Sequence, residues 1–71
     1  MKPKPPITNR VAALREEHEG MSQAALAKAI GVSRQTIIAI EQGHYSPSLE
    51  RAFLIARQFG VGLEAVFGWD P

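Results

Sequence analysis

The chain of 71 residues has no cysteine. Disulfides, thiolate metal sites and thiol chemistry are therefore out of reach, which suits a reducing cytoplasm. Histidine is scarce too: His18 and His44 stand far apart, and neither has the spacing of a metal ligand. No metal or cofactor is expected. No apolar run approaches the ~20 residues that a bilayer span requires. The basic start leads into prolines, unlike a secretion signal, so a cytoplasmic protein is expected. Charge is nearly balanced, with eight Lys and Arg against seven Asp and Glu; a net charge of +1 is a weak argument for a nucleic-acid partner. No base, nucleophile or metal cluster stands at a catalytic spacing, so the sequence does not read as an enzyme. The length leaves room for one small domain. Such a domain buries a modest fraction of its surface and must be compact or lean on a partner.

What is present centres on residues 23–42, QAALAKAIGVSRQTIIAIEQ. Leu26, Ala27 and Ile30 form one apolar set; Val32, Ile37 and Ile40 form another. Spacings of three and four residues put each set on one face of a helix. Gly31 between them can adopt the left-handed conformation that ends a helix, and Ser33 stands where the next N-cap belongs. The prediction is helix, tight turn, helix. Opposite the second apolar stripe, Arg34, Gln35 and Thr36 load the helix start with groups that bond phosphates and base edges.

These residues resemble the DNA-binding helix-turn-helix of the phage repressor and Cro type, often called the xenobiotic-response-element family. The resemblance runs through SQAALAKAIGVSRQTIIAIEQGHYSPSLERAFLIARQFGV and extends more weakly back to Arg10 and on to Phe67. It implies an all-α, compact five-helix lambda-repressor-like domain over residues 7–69, preceded by a flexible arm at 1–6. The implied function is sequence-specific transcriptional regulation, as a repressor on a palindromic operator in double-stranded DNA. The expected state is a homodimer reading the major groove, with no small-molecule ligand. An antitoxin or restriction-modification controller would use the same module. A protein-interaction module without DNA binding is the rival from another class, and Gln23, Arg34 and Gln35 argue against it. By resemblance, Gln23 bonds a DNA phosphate and steadies the start of the recognition helix. An arginine at the position of Arg15 is often paired, in this family, with a glutamate late in the recognition helix, here Glu41.

In chain order, MKPKPP has three prolines in six residues and cannot be helical. Lys2 and Lys4 could reach phosphates or the minor groove, although a frayed terminus accounts for the same composition. Thr8 is expected to cap a first helix ending near His18, with Ile7, Val11 and Leu14 as its stripe. His18 is expected to face solvent. Residues 18–21 read as a turn, one residue longer than in the commonest family pattern.

Ser22 should cap the second helix, where Gln23 lies in the first turn beside a phosphate-binding helix start; Lys28 lies on its exposed face. On the third helix, expected over 34–42 and ended by Gly43, Arg34 can fork onto guanine and Gln35 can pair with adenine, although either could instead bind only phosphate. Ser33 and Thr36 flank them. Ile38 and Ala39 lie one turn further along the same face, where an apolar group can touch thymine methyls. Ile38 is read as recognition because Ile37 and Ile40 already fill the inward stripe. In the loop that follows, His44, Tyr45 and Ser46 can donate to the phosphate backbone, and Tyr45 could equally pack beneath the loop.

Pro47 and Ser48 begin a fourth helix with Leu49, Ala52, Ile55, Ala56 and Phe59 as core. A short fifth helix is expected over 62–67, with GWDP as a tail. Phe53, Leu54 and Trp69 then remain as an apolar surplus, and exposed apolar groups this close suggest a protein contact, here the dimer interface with Phe67 added; Phe53 and Trp69 could instead finish a thin core.

Overall fold

Serine hydroxyls decide where three of the helices begin. The structure, a computed structural model, describes residues 6–70, so the expectations for Lys2 and Lys4 fall outside the described residues. Within it run β1 (Ile7–Asn9), α1 (Val11–Glu17), α2 (Gln23–Ile30), α3 (Arg34–Glu41), α4 (Leu49–Gln58), α5 (Leu63–Val66) and β2 (Phe67–Trp69). Ser22, Ser33 and Ser48 accept the backbone N–H groups of Ala25, Thr36 and Arg51 at 3.0, 3.2 and 3.2 Å. Each such cap is worth about 1 kcal/mol. Gly31, at φ 78°, takes the left-handed turn between α2 and α3 that a side chain would resist. The Val32 N–H then returns to the Ala27 carbonyl at 2.9 Å.

The core is one cluster. Val11 and Leu14 of α1, Leu26, Ala27 and Ile30 of α2, and Ile37 and Ile40 of α3 meet Ile55, Ala56 and Phe59 of α4 and Val66. Five helices around that cluster make an all-α fold, with the two strands a minor addition.

The first helix begins differently from expectation. Thr8 is not its cap: residues 7–9 form β1, antiparallel to β2, with Ile7 opposite Trp69, Thr8 opposite Gly68 and Asn9 opposite Phe67. The Asp70 N–H extends the ladder to the Pro6 carbonyl. The N-cap position falls to Arg10, which makes no side-chain cap bond, and Asn9, one residue earlier, accepts the Val11 N–H on its Oδ1 at 3.1 Å. Ile7 accordingly sits on a strand and is exposed. The presumed tail is the partner strand, and it cuts α5 to four residues. Local pattern could not reveal this pairing, because its two halves lie at opposite ends of the chain.

Two further residues depart from expectation. Leu49, in the first turn of α4, is 68% exposed; the buried residues of that helix begin at Ala52. His18 is half-buried rather than solvent-facing. Its Nδ1 and Nε2 lie 2.9 and 3.1 Å from the Leu14 and Phe59 carbonyls, and its ring is tilted against that of Phe59 at 5.0 Å. The longer turn after α1 makes this possible: Glu19 and Gly20 are consecutive left-handed residues, at φ 59° and 70°.

Candidate nucleic-acid interface

Recognition by a helix requires that the helix be held while its outer face stays free. The holding is done by a polar network at its C-terminal end. Arg15 Nε and Nη2 donate to the two carboxylate oxygens of Glu41, at 2.6 and 3.1 Å, and Nη1 donates to the Met21 carbonyl at 2.8 Å. Such a fork-on-fork pair fixes orientation as well as charge. It is largely shielded from water, the side chains being 16% and 9% exposed. The hydrogen bond from Glu41 raises the Arg15 pKa above the ordinary guanidinium value. Desolvation opposes this, and the negative charges of Glu41 and Glu16 reinforce it. The expected family pairing therefore forms despite the longer turn.

Gln23 joins the same network, its Nε2 donating to Glu41 Oε1 at 2.9 Å. The structure thus ties Gln23 to the last residue of α3, not to its start. The start is held by the Ser33 cap, whose hydroxyl also lies 3.0 Å from Thr36 Oγ1. An amide has two N–H donors, so Gln23 retains one for a ligand outside the network.

Asn9 is a residue that sequence reasoning missed. While its Oδ1 accepts the Val11 N–H, its Nδ2 donates to the Ile40 carbonyl at 2.9 Å. One side chain thereby ties the start of α1 to the last turn of α3. An Asn just ahead of an apolar helix is a capping signal, so the first half of this role was legible. The second half joins residues 31 apart.

The outer face of α3 is of another kind. At about 100° per residue, Arg34, Ile38, Gln35 and Ala39 share the arc opposite the buried Ile37 and Ile40. Arg34 and Gln35 are exposed, and neither side chain holds a hydrogen bond or ion pair among the described residues. Ile38, Ala39 and Thr36 are half-buried, whereas Ile37 and Ile40 are sealed in the core. Of the flanking candidates, Ser33 and Lys28 are exposed and Gln23 is half-buried. In the loop after α3, His44 is exposed, Tyr45 is 46% exposed and Ser46 is half-buried. Among the described residues no group of three or more His, Asp or Glu is placed to hold a metal ion, and no helix is long and apolar enough to cross a membrane.

Residues 11–66, the caps, turn and core just described, match the family model of the helix-turn-helix. The chain belongs to the Cro/C1-type helix-turn-helix family of DNA-binding transcriptional regulators. A helix-turn-helix-type transcriptional regulator of Methanocaldococcus jannaschii, itself uncharacterised, is 54% identical over 64 residues, covering 90% of this chain and 96% of the relative. YgzD of Bacillus subtilis, also an uncharacterised regulator of this type, is 46% identical over 61 residues, covering 86% and 91%. Among solved structures, a Bacteroides fragilis protein provisionally described as DNA-binding superposes with a TM-score of 0.78. That match covers 87% of this chain and 98% of the other, and at 22% identity it speaks to the fold alone.

Proposed function

We propose that the protein is a repressor that binds a palindromic operator as a homodimer, inserting α3 into the major groove. One observation carries this reading most: Arg34 and Gln35 are exposed at the helix start, while Ile37, Ile40 and Glu41 anchor the same helix from behind. Arg34 reads guanine and Gln35 adenine, the two bidentate pairings their geometry suits. Thr36, Ile38 and Ala39 complete the base-facing surface. Gln23, Ser33, Lys28, His44, Tyr45 and Ser46 bond the phosphate backbone, with Gln23 using the amide N–H not committed to Glu41. A single short helix reads few bases, and a two-fold pair reading half-sites roughly 34 Å apart supplies the missing specificity. The dimer contact runs through the exposed apolar residues of α4 and β2, namely Phe53, Leu54 and Trp69, beside half-buried Phe67.

Mobility shift against the duplex upstream of the protein's own gene tests the reading. The expected result is a discrete complex whose affinity falls steeply with salt, as phosphate contacts require. Binding that is absent at low salt, or equal on any duplex, would overturn it.

A further inference from the structure

The surface beside the two-stranded sheet is apolar in an unusual way. Ile7, Pro47, Leu49, Ala52, Leu63 and Phe67 line an open groove of about 280 Å³, and none of them has a charged or hydrogen-bonding side chain. Leu49, at its rim, is 68% exposed, and Phe53, one turn further along α4, is 48% exposed. Next to the groove stands the chain's single tryptophan, Trp69, which is 70% exposed. In the β1–β2 ladder Trp69 is directly opposite Ile7. Residues opposite each other, and those two apart on one strand, share a sheet face. Trp69 is therefore on the same face as Ile7 and Phe67, at the groove's edge, yet it is not among the residues that line it.

We propose that this groove is the socket for Trp69 of a second copy of the chain, and that the insertion is reciprocal about a two-fold axis. The proposal rests on the homodimer reading and specifies its contact. Plug and socket adjoin on one patch, which is the arrangement an isologous interface needs: each copy offers both halves to the other. The area is also sufficient. A buried aromatic side chain removes about 150–250 Å² from water. Two reciprocal insertions, counting both surfaces of each, remove roughly 600–1,000 Å². Phe53, 48% exposed beside the groove and outside its lining, adds to this and brings the total to about 1,200 Å², the lower bound for stable protein interfaces. Tryptophan in a desolvated pocket is also the commonest kind of interface anchor. Leu54 lies about 140° around α4 from Leu49, at 100° per residue, so this contact leaves it at the margin.

The single tryptophan makes the test direct. The intact protein is diluted through its dimer dissociation while sedimentation velocity and Trp69 emission are followed together. The proposal expects emission to move to shorter wavelength as dimer forms. Trp69→Ala and Leu49→Glu should each raise the dimer dissociation constant at least tenfold with unchanged helical circular dichroism, and Leu54→Glu should do less. Both principal substitutions fall at exposed positions, so folding is spared. A dimer that forms with unchanged emission, or Trp69→Ala dimerising like wild type, overturns the socket and leaves the homodimer standing with another interface. Short-wavelength emission from a monomer at every dilution would mean that Trp69 docks on its own chain, and also overturns it. A wild type that stays monomeric and binds its operator as one copy removes the homodimer reading and the socket together.

Discussion

Replacing Glu41 with alanine should unfold the protein well below its normal melting temperature, and the structure sets the scale. The substitution removes both carboxylate oxygens that hold Arg15 and the acceptor that holds Gln23. Arg15 would retain only the Met21 carbonyl. An uncompensated buried charge costs roughly 3–5 kcal/mol. The pair is only partly buried, with no fully buried charged residue among the described residues, so the loss falls between that figure and the ~0–1 kcal/mol of an exposed pair, at about 2 kcal/mol. For a domain of this size each kcal/mol shifts the midpoint by about 4–8 °C, so a fall of roughly 8–16 °C is expected. Arg15→Ala should be comparable, since it strands the carboxylate. The double variant should lose clearly less than the two single losses combined, because once one partner is gone the other contributes little. Arg15's raised pKa adds a check on sign. A cation whose folded value is raised contributes stability that is present below its unfolded value and lost only as pH rises through the folded one. The arginine side of the pair therefore gives no stability change near neutral pH, and any loss from it belongs to strong alkali. Circular dichroism melts of the four proteins supply the data. Single variants that melt within a few degrees of wild type, or losses that simply add, would refute the coupling.

Asn9→Asp keeps an acceptor for the Val11 N–H but sets a carboxylate against the Ile40 carbonyl, so denaturant melts should show a loss of about 1–3 kcal/mol; wild-type stability would mean the Ile40 bond is dispensable. Gln23→Ala should weaken cognate and unrelated duplexes alike and leave the salt slope unchanged, because a neutral amide releases no counterion; a change in base preference instead would move Gln23 into the reading set. At Gly68 an added Cβ would lie 2.8 Å from Thr8 Oγ1, so Gly68→Ala should loosen the β1–β2 pairing and Thr8→Ala should restore it, as read by amide hydrogen exchange at residues 7–9. Equal protection in Gly68→Ala and wild type would show that Thr8 simply rotates away.

Local chemistry made most of the scaffold legible. Ser22 and Ser33 each cap a helix as expected, Ser48, expected only to begin α4, caps it as well, and Gly31 makes the turn its sequence context demanded. Leu26, Ile30, Ile37, Ile40 and Ile55 are buried as their spacing required. Misplaced features were those decided across the fold. Ile7 and Thr8 belong to a strand because Trp69 and Gly68 lie opposite them, and nothing within either segment signals the other. Helical periodicity grouped Leu49 with Ala52 and Ile55, but Leu49 is 68% exposed, because periodicity does not say where along its length the helix meets the core. His18 read as solvent-facing because its partners, the Leu14 and Phe59 carbonyls, are backbone atoms without a side-chain signature. On the candidate interface, the pairing of Arg15 with Glu41 was implied by family resemblance alone. The attachment of Gln23 to that pair, and of Asn9 to Ile40, joins residues 18 and 31 apart in the chain, beyond the reach of any local pattern.

The central claim, that the outer face of α3 reads base pairs, is tested most directly by selecting bound duplexes from a random pool with wild type, Arg34→Ala and Gln35→Ala. Wild type should enrich a two-fold symmetric site. Each variant should lose preference at one base position in both half-sites while still binding, at about 1–3 kcal/mol per contact. An enriched site that is the same for all three proteins, or no enrichment by wild type, would contradict the account.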